Sequence, residues 1–293
     1  MTTLSVVIPC YDEAEVIGEC LDRLLAQRDH IHEIVVVDNN STDDTARIVA
    51  DRARAHPEVR LIPEPRQGLV YARNTGLDAA TGDAIARIDA DTMVGERWAA
   101  DIVHFLREDA AHRWAALCGR GEAYGLPYGD GVARLKDRVG RWVPFVARRS
   151  ATSDDVRSVA VLYGSNMTLR RSTWLAIRDR VAMRRDVFED VDMGLCVTET
   201  GGRNAFLPHL TVGVSPRRMQ TGLASFARYM MCLPRTMFLH RRLWLGIGAS
   251  VLYVPWVVVV HAVRLLLIRG WDARTGRFSL ATLLHPGADR GMP

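Results

Sequence analysis

LSVVIPCYDEAEVIGECLDRLLAQ, residues 4–27, carries two periodicities in one short stretch. Its opening, LSVVIP, is mostly apolar and β-branched and stops at Pro9, as a short strand buried on both faces does. The spacing then changes. Val16, Ile17, Cys20, Leu21, Leu24 and Leu25 fall on one stripe of a helix whose first turn carries acids. A buried strand followed at once by an amphipathic helix is half of a βαβ unit.

The same pairing recurs downstream. EIVVVD (33–38) reads as a second strand, and NNSTDDTARIVADRARA (39–55) as a helix capped by Ser41 or Thr42, with Asp43 and Asp44 in its first turn. VRLIPE (59–64), a helix from Leu69 to Ala80 closed by Thr81-Gly82, and the strand AIARID (84–89) continue the alternation. Strands alternating with helices imply parallel neighbours joined by right-handed crossovers. The expected fold class is therefore α/β, a doubly wound, Rossmann-like, mostly parallel sheet flanked by helices. In such sheets ligands bind beyond the carboxyl ends of the strands, where Tyr11-Asp12, Asp38-Asn39 and Asp89–Asp91 all fall. After residue 112 the pattern loosens into mixed elements, including a basic amphipathic stretch at 132–149.

Composition sets the outer limits. With 293 residues, 48% hydrophobic and 25% charged, the chain is an ordinary globular one, and disordered or repeat classes are excluded. The net charge is only +4, but six arginines and no acid lie between Arg217 and Arg242. The apolar run directly after them directs that basic stretch toward a membrane surface and away from nucleic acid. From Leu243 to Val263, 21 residues carry no formal charge. As a helix they would be about 31 Å long, against about 30 Å of hydrocarbon. Trp244, Tyr253, Trp256 and arginines on both flanks favour a bilayer. Pro255 leaves two topologies open, a spanning helix and a re-entrant hairpin. Five cysteines, widely spaced and in apolar surroundings, read as buried free thiols in a reducing compartment. The N-terminus has no basic region ahead of its apolar residues, so the expected location of the N-terminal domain is cytoplasmic.

The triplet Asp89-Ala90-Asp91 follows the fourth strand. In extended backbone, residues i and i+2 face the same way, so both carboxylates would look at one point. Two adjacent anions are costly without a cation, and carboxylate oxygens suit Mg²⁺ or Mn²⁺. Such an ion would hold the diphosphate of a nucleotide ligand. By itself the triplet is also what a solvated turn looks like.

Its setting is more specific. SVVIPCYDEAEVIGECLDRLLAQ, EIVVVDNNSTDDTARIVADRA, RQGLVYARNTGLDAATGDAIARIDADTM and FEDVDMGL, in this order, resemble glycosyltransferase family 2 with its GT-A fold, over roughly residues 4–215. The resemblance implies a donor pocket formed by Pro9, Tyr11, Glu13, Asp38, Asn40, Arg73, Asp89 and Ala90, with Asp38 against the nucleotide base and Tyr11 beside it. It implies Asp91 as the direct metal ligand, Asp89 toward ribose or metal, and His209 as a candidate third ligand, although a lone histidine is as a rule structural. Of the acidic pair Glu189-Asp190, it makes Asp190 the catalytic base. Read only from its position, Asp190 is a helix N-terminal cap or first-turn acid before it is a base. The resemblance places Gly164 and Asn166, in YGSNMTLRR (163–171), and Glu189 on the acceptor side, where glycine would let backbone approach a sugar.

The expected organisation is a GT-A domain over 1–215, with a donor half to about 112 and an acceptor half to 215. A basic amphipathic membrane-proximal helix follows at 216–242, then an apolar segment at 243–268 and a basic tail at 269–293. The expected activity is an inverting, metal-dependent transfer of a sugar from a nucleoside diphosphate to a hydroxyl or phosphate of a lipid-linked or glycan acceptor, at the cytoplasmic face of the membrane. Alternatives are transfer to a soluble acceptor or a nucleotide-sugar-binding membrane scaffold without turnover. A sugar nucleotidyltransferase would open with a glycine-rich loop after the first strand, which IPCYDEAE is not. The Gln-x-x-Arg-Trp motif of processive family members is also absent.

Overall fold

The computed structural model describes residues 2–124, 156–272 and 277–278. Four strands build the parallel part of the sheet: β1 (Leu4–Cys10), β2 (Glu33–Asp38), β3 (Val59–Pro63) and β4 (Ala84–Arg87). They lie in the order β3-β2-β1-β4 with every neighbour parallel, and Cys10 stands level with Asp38, which stands level with Pro63. Helices α1 (Ile17–Leu25), α2 (Thr45–Ala55) and α3 (Leu69–Ala79) make the crossovers. Helix α1 starts later than its apolar stripe suggests, because the Val16 and Ile17 N–H groups both close on the Glu13 carbonyl in a preceding turn.

Side-chain alternation along β1 feeds two cores. Leu4, Val6, Ile8 and Cys10 pack with Ile17, Cys20, Leu21 and Leu24 of α1, Val49 of α2, and Trp98 and Ile102 of α4 (Trp98–Glu108). Val7 joins Val35 and Val37 on the other face, with Ala72 and Leu77 of α3, Trp174 and Ile177 of α5 (Arg171–Ile177), and Met193 and Val197 of α6 (Glu189–Glu199). Each fully buried aliphatic side chain contributes about 1.5–3 kcal/mol. A one-residue slip of β1 would exchange the two sets, so the register is strongly specified.

Beyond β4 the sheet becomes mixed. β8 (Met167–Arg170) runs antiparallel to β4 and to β6 (Ala116–Ala123). β9 (Asn204–Val214) runs antiparallel to β5 (Met93–Val94) and β7 (Arg157–Val159), and the full order is β3-β2-β1-β4-β8-β6-β9-β5 with β7 on β9. Parallel pairing thus holds where strand and helix alternate strictly. After Ile88 the chain turns sharply and re-enters the sheet at its far edge as the two-residue β5.

The first unit runs to Glu122 and again from 154 to Val214; the second takes in the chain from Ser215 onward. The second holds a 3-10 turn (Pro216–Gln220), α7 (Leu223–Met230), α8 (Cys232–Leu239), α9 (Leu243–Gly248), a π-helical turn (Ala249–Tyr253) and α10 (Val254–Gly270). Among the described residues, one helix, Leu243–Leu266, is long and apolar enough to cross a membrane, with a mean hydropathy of 2.0. The chain stays helical through Pro255. The Val254 N–H bonds back to the Ala249 carbonyl, and this widened turn accommodates a proline that lacks its own N–H. The hairpin expected as an alternative at Pro255 is therefore not formed. The amphipathic stretch at 132–149 and most of the 269–293 tail lie outside the described residues.

Candidate active site

The loops after β1 and β2 are zipped together. Asp12 and Asn40 both adopt left-handed backbone, with φ of 51° and 64°. This conformation costs a non-glycine residue about 1–3 kcal/mol and persists only where neighbours hold it. Here they do. The Asp12 carboxylate accepts the Thr42 N–H at 2.6 Å, and Ser41 Oγ accepts the Asp12 N–H at 3.1 Å. Ser41 and Thr42 therefore serve the β1 loop and do not cap α2, whose first residue Thr45 instead donates its N–H to Asp43 at 2.9 Å. The helix starts too late for either hydroxyl to reach its N–H groups.

Asp38, at the end of β2, accepts the Ser41 N–H at 3.3 Å, and Tyr11, 37% exposed, follows β1. Glu13 is anchored by its N–H to Thr45 Oγ1 at 2.8 Å. Asn40 donates to the Pro65 carbonyl at 3.0 Å, so its side chain braces the neighbouring loop. Its buried neighbour Asn39 donates to the Glu64 and Arg66 carbonyls, both at 2.8 Å, and accepts the Gly68 N–H at 2.7 Å, which ties the ends of β2 and β3 to the start of α3. Pro9, within β1, and Ala90 are buried, so neither side chain is open to a ligand.

The acidic triplet sits in a turn, closed by the Thr92 N–H on the Asp89 carbonyl at 2.9 Å. This corrects the extended backbone expected there. Asp89 and Asp91 are each partly buried, and both offer hard oxygen donors from one turn, a donor set that fits Mg²⁺ or Mn²⁺. Arg73, 3% exposed on α3, donates to Asp89 at 3.1 Å and pairs through its other amino group with Glu189. The triplet and the first turn of α6 thus share one guanidinium. Glu189 pairs with Arg73 and lies 3.6 Å from Arg87, so it helps order the cluster.

Asp190 is held by two backbone donors, the Gly164 N–H at 3.0 Å and its neighbour Val191 N–H at 2.9 Å. A Cβ on Gly164 would lie 2.4 Å from Arg87 Nη2 and 3.3 Å from Asp190 Oδ2. The glycine is needed for close approach to these two side chains, where closeness to a sugar was expected. Arg87 is fully buried, and its Nε donates to the Gly164 carbonyl at 3.3 Å. Burial, and then the like charge of Arg73, push its guanidinium down to about 9, so it stays cationic at neutral pH. Arg87 escaped the motif reading. The available signal was an arginine among the buried positions of AIARID.

Two candidates fall away. Asn166 is 1% exposed, and its amide is fully used: it accepts from Trp98 Nε1 at 3.0 Å and donates to the Arg120 and Leu210 carbonyls at 3.1 and 2.8 Å. It is a cross-brace between α4, β6 and β9 and has nothing left for a substrate. His209 is exposed on β9, four residues before Gly213, the register partner of Met93. At about 3.3 Å per residue it stands ~13 Å along the strand from the register partner of Met93, so the strand register does not bring it to the triplet.

The family model "Glycosyl transferase family 2" matches residues 5–174. Among curated relatives, the uncharacterized glycosyltransferase YibD of Escherichia coli is 36% identical over 91 residues, 31% of this chain and 26% of that protein. Glycosyltransferase AglE of Haloferax volcanii is 37% identical over 98 residues, 32% of each chain. The chain thus matches only about a quarter to a third of the length of these relatives. Among solved structures, the mannosyltransferase PcManGT of Pyrobaculum calidifontis, in complex with GDP-Man and Mn²⁺, aligns with a TM-score of 0.62 at 23% identity, over 96% of this chain and 77% of that one. TarS of S. aureus in complex with UDP-GlcNAc aligns with a TM-score of 0.59 at 15% identity, over 92% and 80%.

Proposed function

The chain belongs to glycosyl transferase family 2, and on that footing we propose that it carries out an inverting transfer of a sugar from a nucleoside-diphosphate donor to a lipid-linked acceptor at the cytoplasmic membrane face. One observation carries the chemical part of this reading: Arg73 joins Asp89 to Glu189, the residue preceding Asp190, so the acids on the leaving-group side and the base belong to one cluster. The GDP-Man and Mn²⁺ of one fold neighbour and the UDP-GlcNAc of another support a nucleotide-sugar donor and a divalent ion.

Asp91 and Asp89 would hold that ion, and when bound it would neutralise charge building on the departing diphosphate. The remaining steps belong to side chains. Asp38 and Tyr11, at the carboxyl ends of β2 and β1, would receive the nucleoside. Asp190, oriented by the Gly164 and Val191 N–H groups, takes the proton of the acceptor hydroxyl. The acceptor oxygen forms its bond to the anomeric carbon as the bond to the diphosphate breaks, and the electron pair leaves on the diphosphate. One displacement inverts the anomeric centre, so a single base suffices. Arg73 and Arg87 keep this acid-rich cluster from repelling itself apart.

Support for a lipid-linked acceptor comes from the acid-free segment Arg217–Arg242 and the apolar helix after it. The test is transfer of sugar from a panel of nucleotide sugars to glycolipid and water-soluble acceptors that carry a free hydroxyl. Asp190→Asn should lower kcat by about 10²–10⁴ with donor KM little changed, and chelation should abolish transfer until Mn²⁺ or Mg²⁺ is restored. Undiminished transfer after either treatment overturns the mechanism. Equal transfer to soluble acceptors overturns the lipid part alone.

A further inference from the structure

Within the second unit, α7 and α8 run back along the apolar helix. His261 Nε2 contacts the Thr221 carbonyl at 2.9 Å, and its ring stacks on Phe226 with centroids 3.8 Å apart. Near the other end, Gly246 lies so close to Phe238 that a Cβ would sit 2.4 Å from its ring. Residues 221–238 therefore cover one side of the helix from about position 246 to 261, antiparallel to it. The uncovered side is apolar throughout: Trp244, Val251, Leu252, Trp256, Val263 and Leu266 are each between 53% and 86% exposed. At about 100° per residue they fall within an arc of about 140°, and Leu243, Ile247 and Tyr253, 47–59% exposed, extend the exposed apolar surface beyond it.

This pairing bears on how the helix meets lipid. Interpolating between the two contacts sets Arg235 level with about residue 250 and Arg228 level with about residue 257. Were Leu243–Leu266 to cross a bilayer, both arginines would lie within about 7 Å, measured along the axis, of its midpoint. Both side chains are exposed, and a charged group at that depth costs about 2.5–3.5 kcal/mol on the most lenient scale. Burying the apolar face of the helix about 5–10 Å into the headgroup boundary has no such cost and leaves both arginines near anionic headgroups.

We propose that the helical hairpin of residues 221–266 lies in the plane of one leaflet, its Trp244–Leu266 face in the acyl-chain boundary and its arginines at the headgroups, without crossing the membrane. This rests on the membrane reading above and goes beyond it by choosing the topology. The full-length chain is labelled with a fluorophore at Leu245→Cys, Leu252→Cys or Val259→Cys, the buried native thiols serving as an unlabelled background. Each labelled protein is reconstituted into phosphatidylcholine–phosphatidylglycerol vesicles, and quenching by lipids brominated at different chain depths is measured. Equal, shallow depths at all three positions are expected. A gradient in which position 252 lies about 10 Å deeper than position 245 overturns the in-plane arrangement while sparing membrane association. Absence of lipid quenching at every position overturns both. Unchanged circular dichroism of each variant confirms that the hairpin is intact.

Discussion

Arg87 and Asp190 hold opposite ends of the same peptide residue: the carbonyl of Gly164 accepts from Arg87 Nε at 3.3 Å, and its N–H donates to Asp190 Oδ2 at 3.0 Å. Arg87→Met should therefore lower kcat by on the order of tenfold or more while donor KM stays within a few-fold, because the carboxylate loses its aim and not its donor pocket. Arg87→Lys should recover part of the loss, since a cation beside Glu189 is kept. Steady-state kinetics on protein of matched thermal stability check this. A parallel rise in KM with kcat unchanged would remove Arg87 from the positioning role.

Asn166 gives the opposite expectation. Its amide joins Trp98, Arg120 and Leu210, so Asn166→Ala leaves buried polar groups without partners and should destabilise the fold by about 2–3 kcal/mol. Denaturant unfolding measures this. The kcat of the folded fraction should change little, and a specific loss of transfer without loss of stability would return Asn166 to the substrate.

Glu33 makes stability depend on acid. Burial alone would raise its pKa, but hydrogen bonds from Thr81, Ser5 and Arg60 outweigh it and hold the carboxyl at about 2, below the ordinary 4.5. A folded-state pKa below the unfolded one means that the carboxylate stabilises the protein fully above pH about 4.5, and that this contribution fades as pH falls toward 2. The contribution is on the order of 3 kcal/mol. Stability measured between pH 6 and 2.5 should fall less steeply for Glu33→Gln than for the parent, and the variant should already be weaker at pH 6.

All five cysteines are free and buried, and burial pushes the Cys20, Cys118 and Cys196 thiols up to about 12. A thiol held so high is almost entirely protonated at neutral pH and a poor nucleophile. The folded protein should show almost no reaction with an aromatic disulfide reagent, and five equivalents after denaturation. Fast reaction of one thiol in the native state would point to local opening near it.

Local pattern carried the parallel half of the fold. LSVVIP, EIVVVD and AIARID each announce a strand, and the apolar stripe from Ile17 to Leu24 announces α1, because burial acts on neighbouring residues with fixed period. The reversal of β8 against β4 could not be read this way, since pairing sense depends on how 80 residues of intervening chain return to the sheet. In the site, motif order names Asp38, Asp89, Asp91 and Asp190 as candidates, and the structure adds the arginine bridge that joins Asp89 to Glu189. Motif order does not name Arg87 and Asn39, because their roles arise from contacts across 25 or more residues, Arg87 with Gly164 and Asn39 with the Glu64 carbonyl. Ser41, Thr42 and Asn166 were misread for the converse reason: each has the right side chain for the expected task but is claimed by a partner distant in sequence.

The turn at Asp89–Thr92 also decides where the chain goes next, because Met93 and Val94 pair with Gly213 and Val212 at the sheet's far edge. Adding one residue to that turn would shift β5 against β9 and rotate buried Val94 toward solvent. The loop is therefore unable to grow or shrink independently, and any diversification of what it grips must come by exchanging side chains on a frozen backbone, with insertions confined to other loops around the pocket.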